Sequence, residues 1–372
     1  MPPVSPLTLR RSALLLLALV GLTLIGFGVR VSGLGLQPLW GDEGWSYYFA
    51  RMALPDMLYL TARDIHPPLY YALLSGWLAI TGGAPEAARL FSVIAGTLLV
   101  PVMHRLTASI YGRRAGLTAA ALTAVAPLAV YYSQEVRMYG LVTLLGLGSV
   151  ACLHRLLVGR GGWRTVIAYV VLTAAALYTM YYAFLVLLAQ AAWLVALGLT
   201  DRGTAQRVRR AAVAMLASGL LYLPWMIYAG GQLLGYVQGK RAAEGYLPLE
   251  PTRYLAAHLV AFSVGHLSDV AATLGVAALL FAVVATLGIL ARGRARGSHP
   301  TLPLLYLLLP VVGGFLVNLI YPFTPRYFER TLLLAAPAWW LLVGAGLAWL
   351  WRRSRALLLA ASGLMLAASI VS

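Results

Sequence analysis

The stretch His66-Pro67-Pro68-Leu69-Tyr70-Tyr71-Ala72-Leu73-Leu74-Ser75-Gly76-Trp77-Leu78-Ala79-Ile80 decides how the chain is read. It is apolar but short. A helix needs about 20 apolar residues to cross a bilayer, and a run of roughly 10–14 more often lies at an interface or re-enters. The paired prolines fit a helix that starts beside them, where a missing N–H costs no hydrogen bond. If residues 67–80 crossed, every later loop would change sides. The basic residues on the inner side would then fall from eighteen to nine of the 28 present. The positive-inside bias therefore predicts a helix lying on the outer surface. Residues 252–265 receive the same reading.

Working outward, apolar runs between basic punctuation predict spans near 12–33, 88–110, 115–131, 139–157, 164–180, 182–199, 211–228, 269–291, 301–320, 331–351 and 355–372. The apolar run 166–199 is too long for one crossing at about 1.5 Å per residue, so it folds at Tyr178-Thr179-Met180-Tyr181-Tyr182. Of 372 residues 61% are hydrophobic and 10% charged, and the mean hydropathy is +0.82. A soluble domain carries about 25% charged residues, so that class is excluded. Arg10 and Arg11 before the apolar run 12–29 read as a retained signal anchor. The single Cys152 lies in an apolar run and offers neither a disulfide framework nor a thiolate metal site.

The net charge of +17 is explained by placement. Eighteen basic residues fall inside, whereas ten of the eleven acids, all but Asp201, fall outside. This is the membrane charge rule, and nucleic acid is excluded as a partner. Eighteen of the 21 tyrosines also fall on the outer side. Interfacial belts populate both faces, so the asymmetry points to an outward polar site rimmed by aromatics.

Three outer segments could carry chemistry. Leu39-Trp40-Gly41-Asp42-Glu43-Gly44-Trp45 opens the first loop with adjacent carboxylates, one of which could act as a base. The alternative is that Asp42 caps a surface helix over 43–59, with Glu43 favoured by the helix dipole. His66, at the end of the loop, could bind phosphate or donate a proton. Tyr131-Tyr132-Ser133-Gln134-Glu135-Val136-Arg137-Met138-Tyr139 sets Glu135 and Arg137 at the membrane rim, as an ion pair or a phosphate clamp. Finally, Tyr321-Pro322-Phe323-Thr324-Pro325-Arg326-Tyr327-Phe328-Glu329-Arg330 carries two outward arginines. Four apart, Arg326 and Arg330 are expected on one face of a helix beginning near Pro325, suited to an anionic headgroup. Arg51, Arg63, Arg89, Lys240, Arg241 and Arg253 read as loop surface or lipid-headgroup contacts. His66, His258 and His266 show no ligand spacing, so no metal site is predicted, although a divalent metal stays compatible. Walker and Rossmann glycine patterns are missing from the sequence.

The order of these motifs (Asp-Glu, HPPLYY, Arg89 opening the second span, YYSQEVRMY, late PRYF) resembles glycosyltransferase family 39-like enzymes of the GT-C fold. These are the prokaryotic relatives of protein O-mannosyltransferases and of lipid A aminoarabinose transferase. The resemblance covers residues 1–200 well. It implies an all-α polytopic membrane protein, one domain over 1–372 with about eleven transmembrane helices. Residues 34–88 form the first extracytoplasmic loop with juxtamembrane helices, and 201–372 hold more variable spans. It implies an inverting transferase taking a monosaccharide from a polyprenyl-phosphate carrier to a protein, lipid or glycan acceptor. The resemblance implies that Asp42 is the base with Glu43 orienting it, that His66 approaches the donor phosphate, that Arg326 holds it, and that Glu135 and Arg137 are the second-loop acidic and basic pair. Arg137 and Arg330 are read as further phosphate-binding candidates, and Glu135, Tyr139, Tyr327, Trp45 and Tyr70 as substrate-supporting ones. The expected place is the plasma membrane, with a cytoplasmic N-terminus and an extracytoplasmic site. A lipid-linked sugar flippase and a non-catalytic scaffold of the same fold are the alternatives.

Overall fold

A computed structural model describes residues 6–266, 271–290, 301–322 and 324–371. The predicted inner arginines Arg292, Arg294 and Arg296, and the predicted outer Asp269, lie outside these residues. Helices follow one another: α1 Pro6–Val31, α2 Gly41–Ala50, α3 Leu54–Thr61, α4 Leu69–Thr81, α5 Pro85–Tyr111, α6 Arg113–Val125, α7 Pro127–Tyr131, α8 Tyr139–Leu157, α9 Trp163–Thr179 and α10 Ala183–Thr200. Then come α11 Ala205–Glu244, α12 Pro251–Val264, α13 Ala271–Leu290, α14 Thr301–Ile320, a 3-10 helix Phe328–Ala335, α15 Ala336–Arg353 and α16 Arg355–Val371. No strand occurs among the described residues.

The segment that decides the topology is a helix of 13 residues, Leu69–Thr81. At about 1.5 Å per residue it is roughly 20 Å long, short of the ~30 Å hydrocarbon core. It buries Tyr70, Tyr71, Leu74 and Leu78. Seven described helices are long and apolar enough to cross a membrane. The predicted span 115–131 is not continuous, and Pro127 is the reason. Without an N–H, Pro127 cannot bond the carbonyl of Thr123, so α6 stops at Val125 and α7 has 5 residues. Arg30, fully buried on α1, fills the gap: Nη2 donates to Thr123 O at 2.9 Å and Nη1 to Ala124 O at 2.7 Å.

The core sits around α15, the most enclosed helix, with Trp340 and Leu341 both 1% exposed. It packs closely on α6 and α13. A Cβ on Gly346 would strike the Val284 backbone, so glycine permits that approach. Farther along, α11 runs for 40 residues, about 60 Å, well past the predicted end at 228. Its first turns carry Arg207, Arg209 and Arg210. Its far end helps build the site below.

Candidate active site

The first and second loops are stapled together by Glu43. Arg89 on α5 closes a fork on it, Nε to Oε1 at 2.9 Å and Nη2 to Oε2 at 2.7 Å. Arg89 also donates to the carbonyls of Leu34, Gln37 and Pro38, while the Val136 N–H donates to Glu43 Oε1 at 2.9 Å. Glu43 and Arg89 are buried, so Arg89 is not the surface residue its loop position suggested. Both oxygens of Glu43 are engaged, which leaves Asp42, about 100° around the helix, as the available carboxylate of the pair. Asp42 does not cap a helix over 43–59. The helix starts earlier, with Trp40 at the cap position, and stops at Ala50; α3 then restarts with Pro55 in its first turn.

Asp42 faces two arginines from distant parts of the chain. Its Oδ2 lies 3.2 Å from Arg330 Nη2 and 3.9 Å from Arg137 Nη2. Arg137 donates from Nη1 to the Asp42 carbonyl at 3.1 Å and to Ser46 Oγ at 3.2 Å. Both guanidinium groups face the Tyr139 ring, at 5.5 and 5.8 Å from its centroid. The second nitrogen of Arg137 sits 3.5 Å from His66 Nε2, and His66 Nδ1 sits 3.5 Å from Asp64 Oδ2. Burial pushes the His66 pKa down, and the Arg137 charge works the same way against the pull of Asp64. A neutral imidazole whose Nδ1–H faces Asp64 presents Nε2 as an acceptor for Arg137. Burial would raise Asp64, yet its hydrogen bond from His66 and the Ile65 N–H bring it below the usual carboxylate value.

These groups form the charged part of a cavity of about 610 Å³. Asp42, Asp64, His66, Arg63, Arg137, Lys240 and Arg330 line it, with Trp45, Phe49, Tyr71, Tyr139, Met180, Tyr181, Tyr182 and Tyr236 as its aromatic and apolar wall. The far end of α11 supplies Leu233, Tyr236, Val237 and Lys240. Sequence reasoning missed Tyr71, Tyr181, Tyr182 and Tyr236 as lining residues. It also gave Arg63 and Lys240 to the surface, although the excess of tyrosines on the predicted outer side pointed to such a rim. The cavity lies away from the arginine-rich helix ends, since α8 leaves it at Tyr139 and finishes with His154 and Arg155.

Other expected residues fall elsewhere. Tyr70 is fully buried, its hydroxyl 3.4 Å from Ser92 Oγ, and its neighbour Tyr71 lines the cavity in its place. Arg326 is exposed, its guanidinium 4.9 Å from the Tyr327 ring centroid, and does not line the cavity. The two late arginines do not share a helix face. Tyr327 adopts φ 62°, a left-handed turn, and the 3-10 helix begins only at Phe328. Phe323 lies outside the described residues. Glu135 is buried beside the cavity rather than in it, and burial followed by the Glu43 charge pushes its pKa up to about 7. Among the described residues no three His, Cys, Asp or Glu side chains gather as a metal site. Asp42 and Asp64 each face a nitrogen donor instead.

Residues 65–228 match the dolichyl-phosphate-mannose-protein mannosyltransferase family. The crystal structure of ArnT from Cupriavidus metallidurans bound to undecaprenyl phosphate superposes with a TM-score of 0.65 at 17% identity, over 95% of this chain and 63% of that one. The archaeal oligosaccharyltransferase AglB from Archaeoglobus fulgidus, in complex with an inhibitory peptide and a dolichol-phosphate, gives 0.63 at 13% identity, over 97% and 55% of the two chains. Arabinosyltransferase EmbB from Mycobacterium smegmatis gives 0.52 at 15% identity, over 94% and 31%. This chain therefore spans less than two thirds of these neighbours. No curated protein matches it. The chain is a polytopic membrane protein of the GT-C glycosyltransferase fold, and its residues 65–228 carry the dolichyl-phosphate-mannose-protein mannosyltransferase pattern.

Proposed function

We propose that the protein is an inverting glycosyltransferase that moves a monosaccharide from a polyprenyl-phosphate carrier to an acceptor hydroxyl or amine on the extracytoplasmic side of the plasma membrane. The observation that carries this reading is the meeting of Asp42 with Arg137 and Arg330 in the cavity. Asp42 takes the proton from the acceptor. The acceptor atom then attacks the anomeric carbon, the bond from that carbon to the phosphate oxygen breaks, and the configuration inverts. The leaving group is a phosphate monoester whose growing negative charge needs fixed cations. Arg137 and Arg330 supply them, and each can grip two phosphate oxygens through a planar fork.

The remaining residues take subordinate roles. His66, held by Asp64, orients Arg137 and is neutral, so it is not itself a phosphate cation. Trp45, Tyr71 and Tyr139 give the sugar and carrier an aromatic wall. Glu43 keeps Asp42 in place through Arg89. The charge rule supports the outward side, because the cavity is remote from the arginine-rich ends.

A direct test uses purified protein in lipid nanodiscs with a panel of labelled polyprenyl-phosphate monosaccharides and mixed acceptors. Turnover of one donor that vanishes in Asp42→Asn supports the assignment and identifies the sugar. Failure of every donor to bind would sink it.

A further inference from the structure

Three segments meet at His266, the residue after the α12 cap, which itself does not line the cavity. Gly265 reaches this point with φ 90°, a left-handed conformation that only glycine adopts without strain. The Tyr132 hydroxyl, in the second loop, hydrogen-bonds His266 Nε2. His266 Nδ1 lies 3.6 Å from Glu329 Oε2 on the 3-10 helix. The Tyr327 ring stacks on the imidazole with centroids 4.2 Å apart and planes at 28°. His266 thus stacks on the residue that makes the left-handed turn and faces Glu329 just beyond it, on the segment that delivers Arg330.

Burial, followed by the Arg330 charge, pushes the His266 pKa down to about 3. The ring is therefore neutral, and the Tyr132 bond to Nε2 leaves its proton on Nδ1, pointing at Glu329. This tautomer accepts from Tyr132 and turns its N–H toward Glu329 Oε2, which at 3.6 Å has no other hydrogen-bond partner and is approached rather than bonded. The groups facing it are Tyr131, Tyr132, Tyr327, Glu329 and Arg330. Tyr132 also packs edge-on against Tyr139 at 5.1 Å, the ring that both Asp42-facing arginines share. The His266 side chain thus lies between the Tyr132 segment and the Arg330 segment.

We propose that His266 is a positioning residue: the chain Tyr132–His266–Glu329 fixes the Tyr327 turn and so sets the Arg330 guanidinium against Asp42. Neither the motif order nor the transferase mechanism gives His266 a task. Its effect on donor binding rests on the transferase reading, whereas its coupling to Arg330 is read from geometry alone.

The test is a double-mutant cycle on the full chain in nanodiscs. His266→Phe keeps a ring to stack on Tyr327 and removes both nitrogens. Its dissociation constant for undecaprenyl phosphate should rise about tenfold, the scale of one lost polar contact. Glu329→Leu should do the same, and Glu329→Gln, which keeps an acceptor oxygen, should restore near-normal binding. In an Arg330→Ala background, His266→Phe should add no further loss. A residue that only stabilises the fold would lower affinity alike in both backgrounds, and that result overturns the proposal. The same cycle is run on Tm without ligand. Equal Tm shifts in both backgrounds overturn the proposal, and a smaller shift in the Arg330→Ala background supports it. If the wild type fails to bind undecaprenyl phosphate, the transferase reading falls while the Tm cycle still decides the role of His266.

Discussion

Arg89 grips Glu43 through two hydrogen bonds of 2.9 and 2.7 Å, one to each carboxylate oxygen, in a buried place, and this pair anchors the segment that carries Asp42. Removing one partner of a buried ion pair strands the other charge, at a cost of about 3–5 kcal/mol. Arg89→Met should therefore lower the unfolding free energy by that amount. Combining it with Glu43→Gln should recover part of the loss, since no charge is then left alone. Thermal unfolding of the three variants checks this, and an Arg89→Met protein within about 1 kcal/mol of wild type contradicts it.

A second buried cation works without any acid. Arg30 bonds the carbonyls of Thr123 and Ala124 at the point where Pro127 has removed a backbone donor. Arg30→Met should cost about 2–4 kcal/mol, because these buried acceptors lose their donors together. Pro127→Ala returns an N–H to Thr123 and should reduce that cost in the Arg30→Met background. Additive losses in unfolding measurements would show that the two features are unrelated.

Asp42→Asn should lower transfer by about 10²–10⁴-fold, the usual contribution of a general base. Donor binding should survive and become tighter, because Arg137 and Arg330 then have no competing carboxylate. Arg330→Ala should weaken binding of the phosphate carrier by about tenfold or more. Isothermal titration with the carrier separates the two effects. Loss of carrier binding in Asp42→Asn would contradict the assignment of Asp42 as base.

The sequence carried most of the membrane helices because hydropathy and arginine placement are local signals. It also singled out segments, from Asp42 to Arg330, whose residues meet in the cavity, since charges placed on the predicted outer side stand out against the bilayer rule. It could not choose between neighbours. Tyr70 and Tyr71 are adjacent on α4, and only the packing against α5 decides that Tyr70 meets Ser92 while Tyr71 faces the cavity. The choice of Arg330 over Arg326 depends on a positive φ at Tyr327, which a bulky aromatic residue gives no reason to expect. Lys240 was assigned to a loop because hydropathy fades after residue 228, yet the helix continues past that point.

Glu135 gives the protein a pH-dependent stability whose sign follows from its burial. Its ordinary value is 4.5, and burial with the Glu43 charge raises it to about 7 in the folded protein. Between these values the unfolded chain has released the proton while the folded chain still holds it. Stability from this group therefore falls as the pH rises from about 4.5 to about 7 and is flat above. The full effect is on the order of 3 kcal/mol. Glu135→Gln cannot ionise, so the variant should match wild type near pH 4 and exceed it in stability above pH 7. Unfolding curves of both proteins across that window measure the difference directly. A wild-type-minus-variant difference that does not change with pH would show that Glu135 keeps its ordinary titration in the folded protein.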